Sequence, residues 1–242
     1  MQTKLSVLAL FVTATTLQAA TVRIIQTNAA GDSVMLIDPV TNKVVGEIGG
    51  IEVNHGAQPS PDGTRLYITN EAESTVDVAD LKTLKVIKSI PLTNHPNNIA
   101  VSRDGKRVYA AIVAGAGAID VIDAATLTRV KSIRTEGGIH NVYVTPDGKF
   151  VVAGSIPGRK VTVIDQKTEE IVWTVPTRDG VRPMAFETNP DGSTTRIFVQ
   201  LSNFNGFVPI DFSTHAVGQE VKLPDVSGAE RTSWYTSVLF TF

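Results

Sequence analysis

Cysteine is absent from the 242-residue chain. That excludes disulfides, thiolate metal sites and cysteine-linked haem. A charge excess is also missing. The formal net charge is −2, so no global basic field draws in nucleic acid or an anionic membrane. No run of Lys and Arg stands out in the sequence. Aromatic residues make up 6% and sit mostly at strand positions. Stacking on single-stranded nucleic acid needs basic and aromatic residues together, and Arg159-Lys160 with Phe204 is the one faint candidate. No stretch after the N-terminus reaches the roughly 18 apolar residues of a membrane-spanning helix. Helical periodicity is missing as well. So are the Gly-x-Ser-x-Gly elbow, His-Glu-x-x-His, the phosphate-cradling Walker loop and Gly-x-Gly-x-x-Gly. The glycines of "GAGAI", Gly115–Ile119, lead into a strand pattern, which excludes a dinucleotide fold. No cofactor is expected from these residues, and no catalytic constellation is visible.

What is present begins with the N-terminus. Lys4 precedes an apolar core, Leu5–Val12, and small residues surround Ala19 and Ala20. This pattern reads as a cleavable secretory signal over residues 1–20. A cysteine-free exported protein suits a bacterial periplasm or the cell exterior.

Residues 21–224 repeat. Asp-Gly recurs at Asp62, Asp104, Asp147 and Asp191, preceded by proline at Pro61, Pro146 and Pro190. A second marker keeps the same beat, with aspartates at Asp38, Asp80, Asp123, Asp165 and Asp211 and threonine three residues after each. Between the markers run short segments rich in Val, Ile and aromatics, bounded by turn residues. Four strands in a unit of about 43 residues is the pattern of a propeller blade. Both markers have a turn explanation. Proline presets φ, aspartate bonds nearby amides and glycine takes positive φ. The predicted fold is therefore all-β, a β-propeller of four-stranded antiparallel blades with about five repeats.

The stretch "SPDGTRLYITN", Ser60–Asn70, followed by "STVDVADLKTLKVIKSI", resembles the YVTN family of β-propeller repeats. "YITN" at Tyr67–Asn70 is a near-literal copy of the family tag, and later repeats drift to "YAAI", "VAGS" and "VQLS". Members include surface-layer proteins, periplasmic proteins and amine-dehydrogenase-like or lactonase-like chains. The resemblance implies a propeller and leaves the activity open. YVTN proteins usually resemble seven-bladed rings. Here the chain enters on "VRIIQTN", which matches the second strand of a unit, and residues 225–242 do not match the repeat. Two readings stay open. Either Tyr235–Phe242 supplies the missing inner strand of a five-bladed ring, or this is a shortened seven-bladed ring, the preferred reading. An open ring would expose sheet edges and allow self-association.

In a propeller the innermost strands line a central channel, so counting back from each turn aspartate locates the funnel. Seven residues upstream lie His55, Asn97, His140 and Met184. Near them are His95, Asn98, Asn141 and Arg182, and the loops between second and third strands add Asn70, Glu71 and Glu73. The expected ligand-binding residues are His55, Asn97, His140, Arg182 and Asn70. His55, His95 and His140 are weak candidates to converge on a metal, but no ligand-spacing motif supports one, and none is expected. Glu71 and Glu73 read as members of a solvated loop. The function expected is a non-catalytic exported binding or interaction scaffold, its partner a protein or small molecule. Its rivals are a dehydrogenase-like or lactonase-like enzyme and a truncated remnant of a seven-bladed protein.

Overall fold

The computed structural model describes residues 22–224. Residues 1–20, where a signal is expected, and the tail with Tyr235–Phe242 lie outside the described residues. Every described element is a strand, and the strands form five antiparallel sheets in chain order. The first sheet has three strands, β1 (Ile24–Thr27), β2 (Ser33–Asp38) and β3 (Lys43–Gly49). Four-stranded sheets follow. The second is β4 (Ala57–Pro59), β5 (Arg65–Asn70), β6 (Thr75–Asp80) and β7 (Lys85–Pro91). The third is β8 (Pro96–Val101), β9 (Arg107–Ile112), β10 (Ala118–Asp123) and β11 (Thr128–Arg134). The fourth is β12 (Ile139–Val144), β13 (Phe150–Ser155), β14 (Lys160–Asp165) and β15 (Glu170–Pro176). The fifth is β16 (Val181–Thr188), β17 (Thr194–Leu201), β18 (Gly206–Asp211) and β19 (Val221–Lys222). Each sheet is one blade, and "VRIIQTN" does enter as a second strand.

The core is divided. Four apolar clusters lie between consecutive blades. Val34, Leu36 and Ile48 meet Leu66, Ile68 and Ala79 between the first two blades. Tyr67, Val76 and Val78 meet Val108, Ala110 and Ile122 between the next two. The two-residue side-chain period explains this: alternate residues of a buried strand serve alternate neighbours, so β5 and β6 are buried on both faces.

The turn markers behave as their chemistry dictates. Gly63, Gly105, Gly148 and Gly192 all have positive φ, between 68° and 84°. The Asp80 carboxylate accepts hydrogen bonds from the amides of Lys82 and Thr83, and Asp123 and Asp211 repeat the arrangement. The residue four beyond these aspartates adopts a left-handed conformation although it is not glycine: Asn42, Leu84, Leu127, Glu169 and His215, with φ of 53–61°. Such a conformation costs about 1–2 kcal/mol in a side-chain-bearing residue. From the second blade on, that side chain reaches the preceding blade. Leu84 fills the space beside Gly46, where an added Cβ would lie 2.6 Å from Leu84 Cδ1. Leu127 packs on the core shared with the second blade. Glu169 binds Arg107 at 3.0 Å, and His215 stacks on Trp173 at 4.5 Å between centroids. In the first blade the position is Asn42, a residue type that tolerates left-handed φ.

The turn carboxylates also make folding sensitive to acid. Asp62 is lowered to about 2 by the Ser60 hydroxyl and by the Thr64 amide and hydroxyl. Asp211 is lowered to about 2 by the Thr214 amide and the Ser213 and Thr214 hydroxyls. A carboxyl depressed in the folded state stabilises above its unfolded value and loses that contribution as pH falls through the folded value. Urea midpoints are therefore expected to hold down to about pH 4 and to drop between about pH 4 and pH 2. Asp62→Asn should flatten part of that drop.

Candidate functional site

The funnel residues sit where the innermost strands break their ladders. β8 pairs with β9 at Pro96 and resumes at Ile99, leaving Asn97 and Asn98 out of register. β12 pairs with β13 at Ile139 and resumes at Asn141, leaving His140 out. β16 pairs with β17 at Val181 and resumes at Met184, leaving Arg182 and Pro183 out. Bulges re-aim side chains and commonly flank functional sites. Three of the expected residues, Asn97, His140 and Arg182, thus share one structural device on three consecutive blades. In the second blade His55 and Gly56 directly precede β4. Gly56 is required there because a Cβ would meet Asn97 O at 3.0 Å and Asn98 Cα at 3.1 Å.

The histidines are tied into this region. His55 Nε2 lies 2.8 Å from Glu71 Oε2, with both side chains about one-third exposed. His95 Nδ1 lies 2.8 Å from the Glu71 carbonyl oxygen, so it donates to that oxygen. His140 Nδ1 lies 2.9 Å from Asn141 Oδ1. Burial pushes the His140 pKa down, and the nearby charges of Arg182 and His55 push it the same way. His140 is therefore a neutral imidazole at neutral pH. Arg182 Nε donates to Ser202 Oγ at 3.0 Å. His55, His140 and Arg182, from the second, fourth and fifth blades, are close enough to act on one another.

Some expected residues have other work. Glu71 is not simply a solvated loop residue, because its carboxylate holds His55 and its carbonyl holds His95. Asn70 is buried; its amide donates to Asp77 Oδ2 at 3.0 Å and its Oδ1 accepts from the Glu73 amide. It serves as a turn clamp beneath the funnel. Asn54 is fully buried, accepting from the Asn28 amide and donating to Ile51 O. Met184 belongs to the core of the last two blades. Phe204 lies under Arg178, with 4.8 Å from the guanidinium carbon to the ring centroid. Among the described residues no group of three or more His, Cys, Asp or Glu side chains is placed to hold a metal. The three histidines come into one region without forming a ligand set. Ser202, the partner of Arg182, was not singled out by the sequence; its one signal is its place just after the strand "RIFVQL". A cleft of about 560 Å³ opens at the opposite end, between the Asp104–Arg107, Gly148–Phe150 and Asp165–Glu169 segments. There Arg107 is already held by Asp123 and Glu169, so the cleft is a seam between turns.

Five consecutive antiparallel sheets, with polar residues at the inner-strand bulges, define a β-propeller. The chain belongs to the family described as "Lactonase, 7-bladed beta-propeller", whose match covers residues 54–188, more than half of its length. It is 26% identical over 86 residues to the protein named "Uncharacterized protein YncE" of Salmonella typhi, covering 36% of this chain and 24% of that one. It is 45% identical over 47 residues to "Antigen Lp49" of Leptospira interrogans, covering 19% of this chain and 10% of the relative. Among solved structures it resembles Kuenenia stuttgartiensis hydrazine synthase, with a TM-score of 0.74, 27% identity and coverage of 85% of this chain and 64% of the other. It also resembles the dihydro-heme d1 dehydrogenase NirN, with a TM-score of 0.67, 19% identity and coverage of 83% and 44%. These alignments span less than two thirds of each relative's length.

Proposed function

We propose that the protein is an exported, non-catalytic binding propeller whose funnel face takes a small anionic organic ligand. The observation that carries this reading is the set of bulges that turn Asn97, His140 and Arg182 out of the inner ladders. Arg182 supplies the positive charge. Neutral His140 and the Asn97 amide supply neutral hydrogen-bonding groups, which suit a carboxylate or phosphate attached to a polar body. Residues 1–20 supply the export signal.

Calorimetric titration with a panel of organic acids and sugar phosphates tests the reading. Arg182→Gln is expected to weaken the best binder by about tenfold or more, the worth of one charge-assisted hydrogen bond. His140→Ala should weaken it less. An unchanged affinity in both variants would count against the funnel as the binding face.

One observation favours an enzyme as the second reading. His55 and Glu71 form a 2.8 Å pair, the geometry of an oriented acid–base residue, in a chain of the lactonase family. Hydrolysis of simple lactones that disappears in His55→Gln would move the function to that class.

A further inference from the structure

The fold gathers cations that the sequence scatters. β7 reads "KVIKSIP" and β11 reads "TRVKSIR"; neither strand contains an acid. They are the outermost strands of the second and third blades and approach each other along the rim. Ladder register shows which way the charges face. Lys88 is opposite Val78 and Lys85 opposite Asp80; Val78 packs toward the third blade, so both lysines lie on that side. Arg129 is opposite Ile122 and Arg134 opposite Ala118; Ile122 packs toward the second blade, so both arginines lie on that side. Four cations from two strands therefore line one outer groove. Asp120 is buried at its base, 3.8 Å from Arg129 and already engaged by Thr93. Lys85, Lys88 and Arg134 have no ion pair among the described residues.

The same strands expose aliphatic side chains. Ile87 and Val130 are each skipped by their ladders, since Val78 and Ala79 pair with Lys88 and Val86, and Val121 and Ile122 pair with Lys131 and Arg129. Ile87 is 51% exposed and Val130 52%, whereas Val86, opposite Ala79, lies on the side of the first blade. A bulge on an edge strand obstructs addition of another strand, so a partner here meets side chains rather than backbone. An acidic protein segment would need the cations alone. Aliphatic knobs set among four cations, three of them without an ion pair among the described residues, match a surface that is anionic outside and apolar just beneath.

The geometry points to the outer rim of the second and third blades as a docking surface for an anionic phospholipid bilayer. Lys85, Lys88, Arg129 and Arg134 meet the headgroup phosphates, and Ile87 and Val130 enter the interface. This surface is separate from the funnel.

Cosedimentation of the exported chain, without residues 1–20, with phosphatidylcholine vesicles containing phosphatidylglycerol tests it, with neutral vesicles and polyglutamate as comparisons. Binding is expected to the anionic vesicles only, and to fall about tenfold or more when salt rises from about 50 to 500 mM. Lys85→Gln/Lys88→Gln/Arg134→Gln should reduce it by about tenfold or more. Ile87→Thr/Val130→Thr keeps β-branching at the bulges and should reduce it by about threefold or more through lost apolar insertion. Unchanged circular dichroism and thermal midpoints in both variants establish that folding is intact. Failure to sediment with anionic vesicles at low salt overturns the proposal. Equal retention of polyglutamate by the wild type and the threonine variant, with no vesicle loss in that variant, assigns the rim to an acidic protein instead and overturns it as well.

Discussion

Gly117→Ala is expected to lower the stability by about 3 kcal/mol or more, the sum of left-handed strain and a backbone clash. Gly117 has φ of +73°, and a Cβ there would lie 2.1 Å from Gly137 O and 2.3 Å from Gly137 C. The reciprocal contact is as close: a Cβ on Gly138 would lie 2.0 Å from Val113 O. Neither loop can retreat. The Gly137 amide donates to Ala116 O at 2.7 Å, and the Thr135 amide to Gly117 O at 3.2 Å. These two loops set the entry of β12, so the substitution should also displace His140. Gly50→Ala is the control. Gly50 has φ of +80° but open space around its missing Cβ, so it should lose only about 1 kcal/mol. Urea denaturation of the three proteins measures the difference; equal losses at Gly117 and Gly50 would show that the two loops separate freely.

Asp120→Ala is expected to cost about 3 kcal/mol, the range for removing one partner of a buried charged network. Asp120 is fully buried in the middle of β10. It accepts from the Thr93 amide at 2.7 Å and from the Thr93 hydroxyl at 3.0 Å, fixing the loop between the second and third blades. Its loss strands a buried amide and leaves Arg129 without its carboxylate. Asp120→Asn keeps an acceptor for the Thr93 amide and should recover about half of the loss. Asp77 occupies the same repeat position in the second blade, held by Asn70 and Thr75. In the fourth blade the position is Thr162, whose buried hydroxyl has no partner. Thermal or urea midpoints that are equal for the alanine and asparagine variants would remove the charged network from this account.

How much of this was legible depended on how local each cause is. The Pro-Asp-Gly and Asp-x-x-Thr turns were readable because each turn is built by its own side chains. The funnel positions followed from the repeat, since counting seven residues back from the turn aspartates reached Asn97 and His140. The bulges were not readable, because a skipped residue leaves no local mark in "HPNNIAV" or "GIHNVYV". Glu71 looked solvated because its partner, His55, lies 16 residues away on the other side of two strands. Asp77 and Asp120 did carry a signal. A carboxylate in the middle of β-branched strand residues is out of place and asks for a partner. The cationic rim was invisible for a different reason: Lys85 and Arg134 share a groove only because adjacent blades place their outermost strands together.

The left-handed residue after each Asp-x-x-Thr turn has a consequence for how the blades are ordered. The joint it makes with the preceding blade is aliphatic at Leu84, ionic at Glu169 and aromatic at His215. Each joint accepts only its own counterpart. Leu84 needs the gap left by Gly46, Glu169 needs Arg107, and His215 needs Trp173. Blades with interchangeable strands are thereby given addresses. A shuffled chain would keep every hairpin and every apolar alternation, yet it would set a carboxylate against a glycine and an imidazole against a guanidinium. The order of the ring is written in a turn position that looks, in each repeat taken alone, like noise.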